Sequence, residues 1–206
     1  MRRENRTRWT GGIERIGRRV PFARLHRAWT AFARDRRGVT VVEFGLLALP
    51  FLGLLCVVVE AALLVFAQQT LDVALARATR ALRTGDFQGN ADGSDPASRL
   101  RKVMCGGTVV FFRCEALRLD MTRATTFKAA QVALPYDSQK KTWAAGFGTR
   151  FDCPQGDDII ALRAAVVVPR LFAFLDFTNR SMGPGAQLMF ATAIFRAEPY
   201  VEKTCQ

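Results

Sequence analysis

The chain has 206 residues, enough for one modest folded domain and a membrane segment. Its formal net charge is +12, and residues 1–38 hold twelve arginines against three acidic residues, so this leader carries +9 and the rest only +3. The sole histidine, His26, lies in the leader, which excludes histidine-based nucleophilic or metal catalysis by the rest of the chain. We therefore expect a protein that is not an enzyme.

The basic leader is predicted to lie in the cytoplasm, because its arginines run directly up to an apolar segment. Within the leader, aromatic and aliphatic residues recur at spacings of three and four, at Phe22, Leu25, Trp29 and Phe32. This spacing indicates either a short basic helix on an anionic membrane surface or a flexible leader that contains aromatic residues. Nucleic-acid binding by the basic arm is disfavoured, because no recognisable nucleic-acid-binding fold accompanies it.

A long apolar segment begins directly after Gly38, at Val39. It holds one carboxylate near its start, Glu43, five residues after the glycine. Charged groups inside membrane segments are costly and usually have a function. Further along, Pro50 removes a backbone donor and crowds the preceding turn, so a bend is expected there.

The apolar segment is long enough for one membrane crossing. No charge occurs from Phe44 to Val59, and the apolar character continues to Phe66. A helix over residues 44–66 would be about 34 Å long at roughly 1.5 Å per residue, against a hydrocarbon layer of about 30 Å. Helical spacing of apolar residues then continues through Leu71, Ala74, Leu75, Ala78 and Leu82. We predict one continuous transmembrane and stalk helix over residues 39–84.

Two features of this segment leave alternatives open. Val65-Phe66-Ala67 resembles a secretory cleavage site, which would release a soluble product beginning at Gln68. The apolar region is, however, far longer than the roughly 7–15 residues of a secretory signal. Glu60 is a second acid in the span, and the sequence does not decide whether it faces a partner helix or the outer interface.

The part after the stalk begins with residues 85–95, which composition predicts to be a flexible linker. Asp95 is a good N-cap residue and Pro96 suits a first helical turn, so a helix is predicted from there to about Cys105. Residues 96–206 would then form a periplasmic domain.

Three runs in this domain are typical of β-strands. The first alternates apolar and polar residues over 117–122, which predicts a half-buried strand with Leu117, Leu119 and Met121 on one side. The others are Asp158 to Val168, expected to be central, and Ala186 to Arg196. The predicted fold class is therefore α+β, with one helix and a three-stranded, mostly antiparallel sheet.

Four of the five cysteines follow the stalk, at Cys105, Cys114, Cys153 and Cys205. An even number outside the cytoplasm predicts two disulfides, with three possible connectivities. We favour Cys105–Cys114, which would tie the helix end to the first strand, with Cys153–Cys205 tethering the C-terminus. Zinc is disfavoured, because no cysteine pair has the two-to-four-residue spacing of ligands and no histidine accompanies them.

No cofactor or metal is predicted from the loops. Gly146-Phe147-Gly148 is too weak a pattern for a phosphate-binding loop. Asp152, Asp157 and Asp158 could hold calcium, but beside Gly156 they are more typical of a solvated acidic loop.

The run from Arg36 to Pro50 resembles the processing site of the type IV pilin superfamily, and most closely that of TadE-like pseudopilins of the tight adherence (Flp) pilus. Weaker similarities recur at Cys105 and Cys114, at residues 158–163 and at residues 191–200. The resemblance implies that a prepilin peptidase cuts between Gly38 and Val39 and that Glu43 serves in assembly. The valine at position 39 departs from the phenylalanine usual in major pilins.

The resemblance also implies a structural or assembly protein of the bacterial inner membrane, single-pass, with the N-terminus cytoplasmic and the C-terminal domain periplasmic. The implied partners are the membrane, the prepilin peptidase, the Flp pilin and other Tad pseudopilins or platform proteins. The residues leave one alternative class open, an uncleaved single-pass protein that presents a periplasmic binding or sensing domain.

Overall fold

The computed structural model describes residues 38–107, 109–130, 133–172, 180–201 and 204–205. The leader before Gly38, with the two alternatives for the stretch from Phe22 to Phe32, lies outside the described residues. The described residues divide into two compact units, one that ends at Phe51 and one that begins at Leu52.

Helix α1 spans Val39–Arg83, so the predicted continuous helix is confirmed. Pro50 lies inside it. Its last turn carries Arg80 and Arg83, whose positive charges favour the carbonyl end of a helix. Gly85 follows with a left-handed φ of 75°, and an added Cβ there would lie 2.9 Å from the Tyr200 ring. Glycine is therefore the residue that both this turn and this close packing require.

Two further helices follow. Helix α2 (Asp86–Gly89) lies within the segment that composition predicts to be a flexible linker, and its Phe87 is buried. Helix α3 (Pro96–Cys105) is confirmed, with the Asp95 carboxylate accepting a 2.8 Å hydrogen bond from the backbone N–H of Ser98. Hydrogen bonds from the side chain and backbone of Ser98 hold the pKa of Asp95 below its ordinary value.

The predicted linker segment contacts the guanidinium of Arg99, a residue of α3. Arg99 is buried and donates to the carbonyls of Phe87 at 2.8 Å and Asn90 at 2.6 Å. It also donates to the carbonyl of Cys205 at 2.8 Å and lies 4.5 Å above the Phe87 ring. Composition could not reveal this, because the donor is a side chain of the next helix.

The strands in chain order are β1 (Arg118–Ala124), β2 (Tyr136–Asp137), β3 (Thr142–Trp143), β4 (Ile159–Pro169) and β5 (Ala186–Arg196). Strands β1, β4 and β5 form the predicted antiparallel sheet in the order β1-β4-β5, with β4 central. Strands β2 and β3 form a separate small hairpin that the sequence analysis missed. Strands of two residues are too short to show any alternation.

The core lies between one face of the sheet and α1. The helix contributes a buried stripe at its C-terminal half, of which Leu71 and Leu82 are fully buried. The sheet contributes Met121, Ile160 and Leu162, also fully buried. Burying a side chain of this size stabilises a fold by about 1.5–3 kcal/mol, so this half of α1 is part of the domain core.

The opposite face of the sheet is covered by the β2–β3 hairpin and the loop after it. Phe147 packs there against Ala165 and Leu188, and its ring stacks on Trp143 at 5.6 Å between centroids. Asp120 of β1 lies on this side and is fully buried, although it is one of the polar residues on the side of the predicted strand opposite Leu119 and Met121.

Both disulfides are present in the predicted pairing. Cys105 and Cys114 have Cα atoms 6.3 Å apart, and this bond ties the end of α3 to the chain before β1. Cys153 and Cys205 have Cα atoms 5.8 Å apart, and this bond fastens the C-terminal segment. Cys56, the remaining cysteine, is exposed and free.

Candidate functional site

The predicted processing site lies at the start of α1. Gly38 directly precedes the helix and is exposed, and Val39 is 46% exposed. No described atom lies within 4 Å of the position of a Cβ on Gly38, so described residues do not cover the backbone there. Access to the peptide bond is a requirement for cleavage, and the described residues meet it.

Glu43 lies in the first turns of α1 and is exposed. Among the described residues, it makes no ion pair. A carboxylate in an apolar helix calls for a cation, because its desolvation in lipid is costly. The described residues do not supply that cation.

The N-terminal half of α1 exposes an apolar surface. Its large side chains reach exposures of 73% at Leu47 and 75% at Leu49. Among the described residues, α1 is the one helix long and apolar enough to cross a membrane, with a mean hydropathy of 2.5 over its most apolar stretch.

A buried ion pair joins α1 to the end of β4. Arg170 Nε lies 3.6 Å from Glu60 Oε1, and the two side chains are only 4% and 6% exposed. The backbone N–H of Phe172 donates to the same carboxylate oxygen at 3.2 Å. Glu60 thus faces the domain of its own chain, an arrangement that the sequence analysis left undecided.

A pocket of about 320 Å³ lies beside this pair. Part of its lining, the apolar wall, consists of apolar side chains of α1 and β5, among them Val57, Leu64 and Met189. Polar side chains also line the pocket, with Glu60, Arg170, Arg180 and Gln187 among them. This pocket was not predicted, because its lining comes from segments far apart in the chain.

A second buried ion pair lies on the opposite face of the sheet. Asp120 of β1 is paired in register with Arg163 of β4, and their side chains form a direct salt bridge. Arg150 Nη2 lies 3.4 Å from the same carboxylate, and the backbone N–H of Gly148 donates to it at 3.3 Å. The group is satisfied internally, which is typical of structural pairs.

The predicted acidic loop is neutralised by arginines. Asp158 Oδ2 lies 3.0 Å from Arg123 Nε, and Asp157 Oδ1 lies 3.2 Å from Arg196 Nη2. Asp152 accepts from the backbone N–H of Arg123 at 3.1 Å. Among the described residues, no group of three or more metal-ligating side chains is brought together.

The C-terminal segment folds back over the end of α1. Glu198 donates its backbone N–H to the carbonyl of Arg83 at 2.9 Å. The Tyr200 hydroxyl accepts from Gln88 at 2.9 Å and donates to the carbonyl of Pro154 at 3.3 Å. Burial, and then the charge of Asp158, raise the pKa of Tyr200 above its ordinary value of 10.0.

Comparison with known proteins gives one match. A family model described as TadE-like protein matches residues 38–80, from the predicted processing site to near the end of α1. Neither the curated proteins nor the solved structures contain a match to this chain. The resemblance to TadE-like proteins is thus confirmed over this segment.

Proposed function

We propose that this chain, TadE-like over residues 38–80, is a structural or assembly pseudopilin of the tight adherence (Flp) pilus system. The TadE-like resemblance implies a membrane protein related to that pilus and without enzymatic activity. The proposal adds a specific place for the chain, anchored in the bacterial inner membrane with its N-terminus cytoplasmic and its C-terminal domain periplasmic.

One observation supports the proposal: a single helix is apolar and long enough to cross a membrane in its first part and lies in the domain core in its last part. Its beginning exposes apolar side chains such as Leu47, and its end buries a stripe that includes Leu71 and Leu82. The two disulfides support a periplasmic domain, because such bonds persist in oxidising compartments.

The proposed maturation is hydrolysis of the peptide bond between Gly38 and Val39 by a prepilin peptidase. Water adds across that bond, which leaves a carboxylate on Gly38 and a free amino group on Val39. In the mature protein this amino group, its own or that of a neighbouring subunit, would be the cation that pairs with Glu43. Partners of the mature protein would be the Flp pilin and the other Tad pseudopilins or platform proteins.

Intact mass spectrometry of the protein extracted from membranes of a strain with the Tad system tests this function. We expect a chain that begins at Val39, and a chain that begins at Met1 when the peptidase gene is deleted. Gly38→Leu should also keep the chain that begins at Met1. A Met1 start in the presence of the peptidase would instead support the uncleaved anchor with a binding or sensing domain, and a Gln68 start would support a secreted product.

A further inference from the structure

The pocket beside Glu60 contains a buried acceptor that lacks a donor. Gln187, near the start of β5, is 4% exposed, and its side-chain Oε1 has no hydrogen-bond partner among the described residues. Leaving such an atom unpaired costs about 1–3 kcal/mol. A molecule in the pocket that brings an O–H or N–H donor would remove this cost.

The charges that line the pocket favour a ligand with one negative charge. Arg170 and Arg180 supply two positive charges and Glu60 one negative charge, so the described lining has a net charge of +1. Arg170 forms the ion pair with Glu60. Arg180 is exposed, and its guanidinium lies 4.8 Å above the Phe190 ring. Arg180 is therefore the cation available to an incoming anion.

The apolar wall of the pocket favours a ligand that also has an apolar part. Val57, Ala61 and Leu64 line the pocket along α1, at the end of the uncharged run that closes at Val59. In the membrane placement of the proposed function, on which this step rests, Glu60 is the first charge beyond that run. The pocket would then open at the level of the head groups of one leaflet, with its apolar wall toward the acyl chains.

We propose that the pocket binds one anionic phospholipid with a hydroxylated head group. The phosphodiester accepts hydrogen bonds from Arg180, a head-group hydroxyl donates to Gln187 Oε1, and one acyl chain lies along Val57, Ala61 and Leu64. A zwitterionic phospholipid leaves the +1 charge of the lining unbalanced. The apolar helix of a second copy would fill the apolar wall, but it brings no donor for Gln187.

Native mass spectrometry of the full chain in mild detergent tests the proposal, with phosphatidylglycerol or phosphatidylethanolamine of identical acyl chains added. We expect one phosphatidylglycerol per chain, retained about tenfold better than phosphatidylethanolamine, the effect of one charge-assisted hydrogen bond. Arg180→Gln should weaken this retention about tenfold and remove the preference. Arg196→Gln, at the C-terminal end of β5 and outside the pocket lining, should change neither.

Gln187→Leu separates a ligand role from a structural one. It removes the unpaired acceptor at nearly constant volume, so we expect weaker lipid retention together with an unchanged or higher melting temperature of the lipid-free protein. A Gln187 with only a structural role would lower the melting temperature and leave lipid retention unchanged.

Equal retention of the two lipids, or equal behaviour of Arg180→Gln and Arg196→Gln, would overturn the proposal. Dimers without bound lipid would overturn it in favour of a second copy. The same spectra show whether the chain begins at Met1 or Val39, so the lipid site and the pseudopilin assignment can fail independently.

Discussion

Glu60, in the middle of α1, and Arg170, directly after β4, form an ion pair that is almost fully buried. The pair joins α1 to the end of the central strand β4. Glu60 is the residue of α1 that directly follows its uncharged run. Together with the buried stripe that ends at Leu82, the pair packs the C-terminal half of α1 into the domain.

Breaking this pair should destabilise the domain strongly. Glu60→Met and Arg170→Met each remove one member of this buried ion pair, which costs about 3–5 kcal/mol. The double variant removes both members, so it should lose less stability than the sum of the two single variants. Thermal unfolding of the wild type, the two single variants and the double variant in the same detergent gives the coupling free energy between the two side chains. Additive losses would show that the two side chains do not interact.

Arg99→Lys should loosen the segment before α3. A lysine ammonium cannot reproduce the hydrogen bonds that the planar guanidinium donates to the carbonyls of Phe87, Asn90 and Cys205. We therefore expect the free energy of unfolding to fall by about 2–4 kcal/mol. Hydrogen exchange of the amides of residues 86–95 should become faster. Arg101→Lys is the matched control on the same helix, since Arg101 donates one 3.0 Å hydrogen bond to Leu117. Equal exchange in both variants would argue against the role of Arg99.

Tyr200 should titrate at a higher pH in the folded protein than in the unfolded chain. Its folded pKa is raised, so its stabilising contribution is complete below pH 10.0 and is lost as the pH rises through the folded pKa. The chain has two tyrosines, so Tyr136→Phe leaves Tyr200 as the only source of phenolate absorbance. The absorbance should appear at higher pH without denaturant than with it. Coincident titrations would contradict this.

Glu43→Ala should abolish pilus assembly and leave membrane insertion intact, because the residue is exposed on α1 and supports no described contact. Piliation by electron microscopy and the amount of protein in the membrane fraction measure the two effects. Asp72→Ala is the control, an exposed acid on the same helix but in the part built into the domain. Normal piliation with Glu43→Ala would remove the proposed role.

Helices α1 and α3 and the three long strands could be predicted because each has a continuous local pattern. Asp95 and Pro96 mark the start of α3, and Ala186 to Arg196 is β5 residue for residue. The sheet pairing could not be derived, because β1 and β4 are separated by a long loop and their register depends on contacts across the sheet. The burial of Asp120 is an example, since it follows from the position of Arg163 opposite it.

The candidate site was predictable only in part, because contacts between segments far apart in the chain leave no local sequence pattern. Glu43 and Gly38 stand out in the local sequence, whereas the pocket depends on Glu60 meeting Arg170 and Gln187 from the far end of the chain. Glu60 was visible as an acid in an apolar run. Its partner was not, because the arginines after β3 show no pattern that separates Arg170 from Arg163.

Membrane fractionation with thiol counting tests whether one helix anchors a disulfide-tied domain on the far side of the membrane. The fraction is washed with alkaline carbonate, denatured, and alkylated before and after reduction. We expect a membrane-bound protein with one reactive thiol, Cys56, before reduction and five after it. A protein recovered in the soluble cytoplasmic fraction with all five thiols reactive before reduction would contradict this expectation.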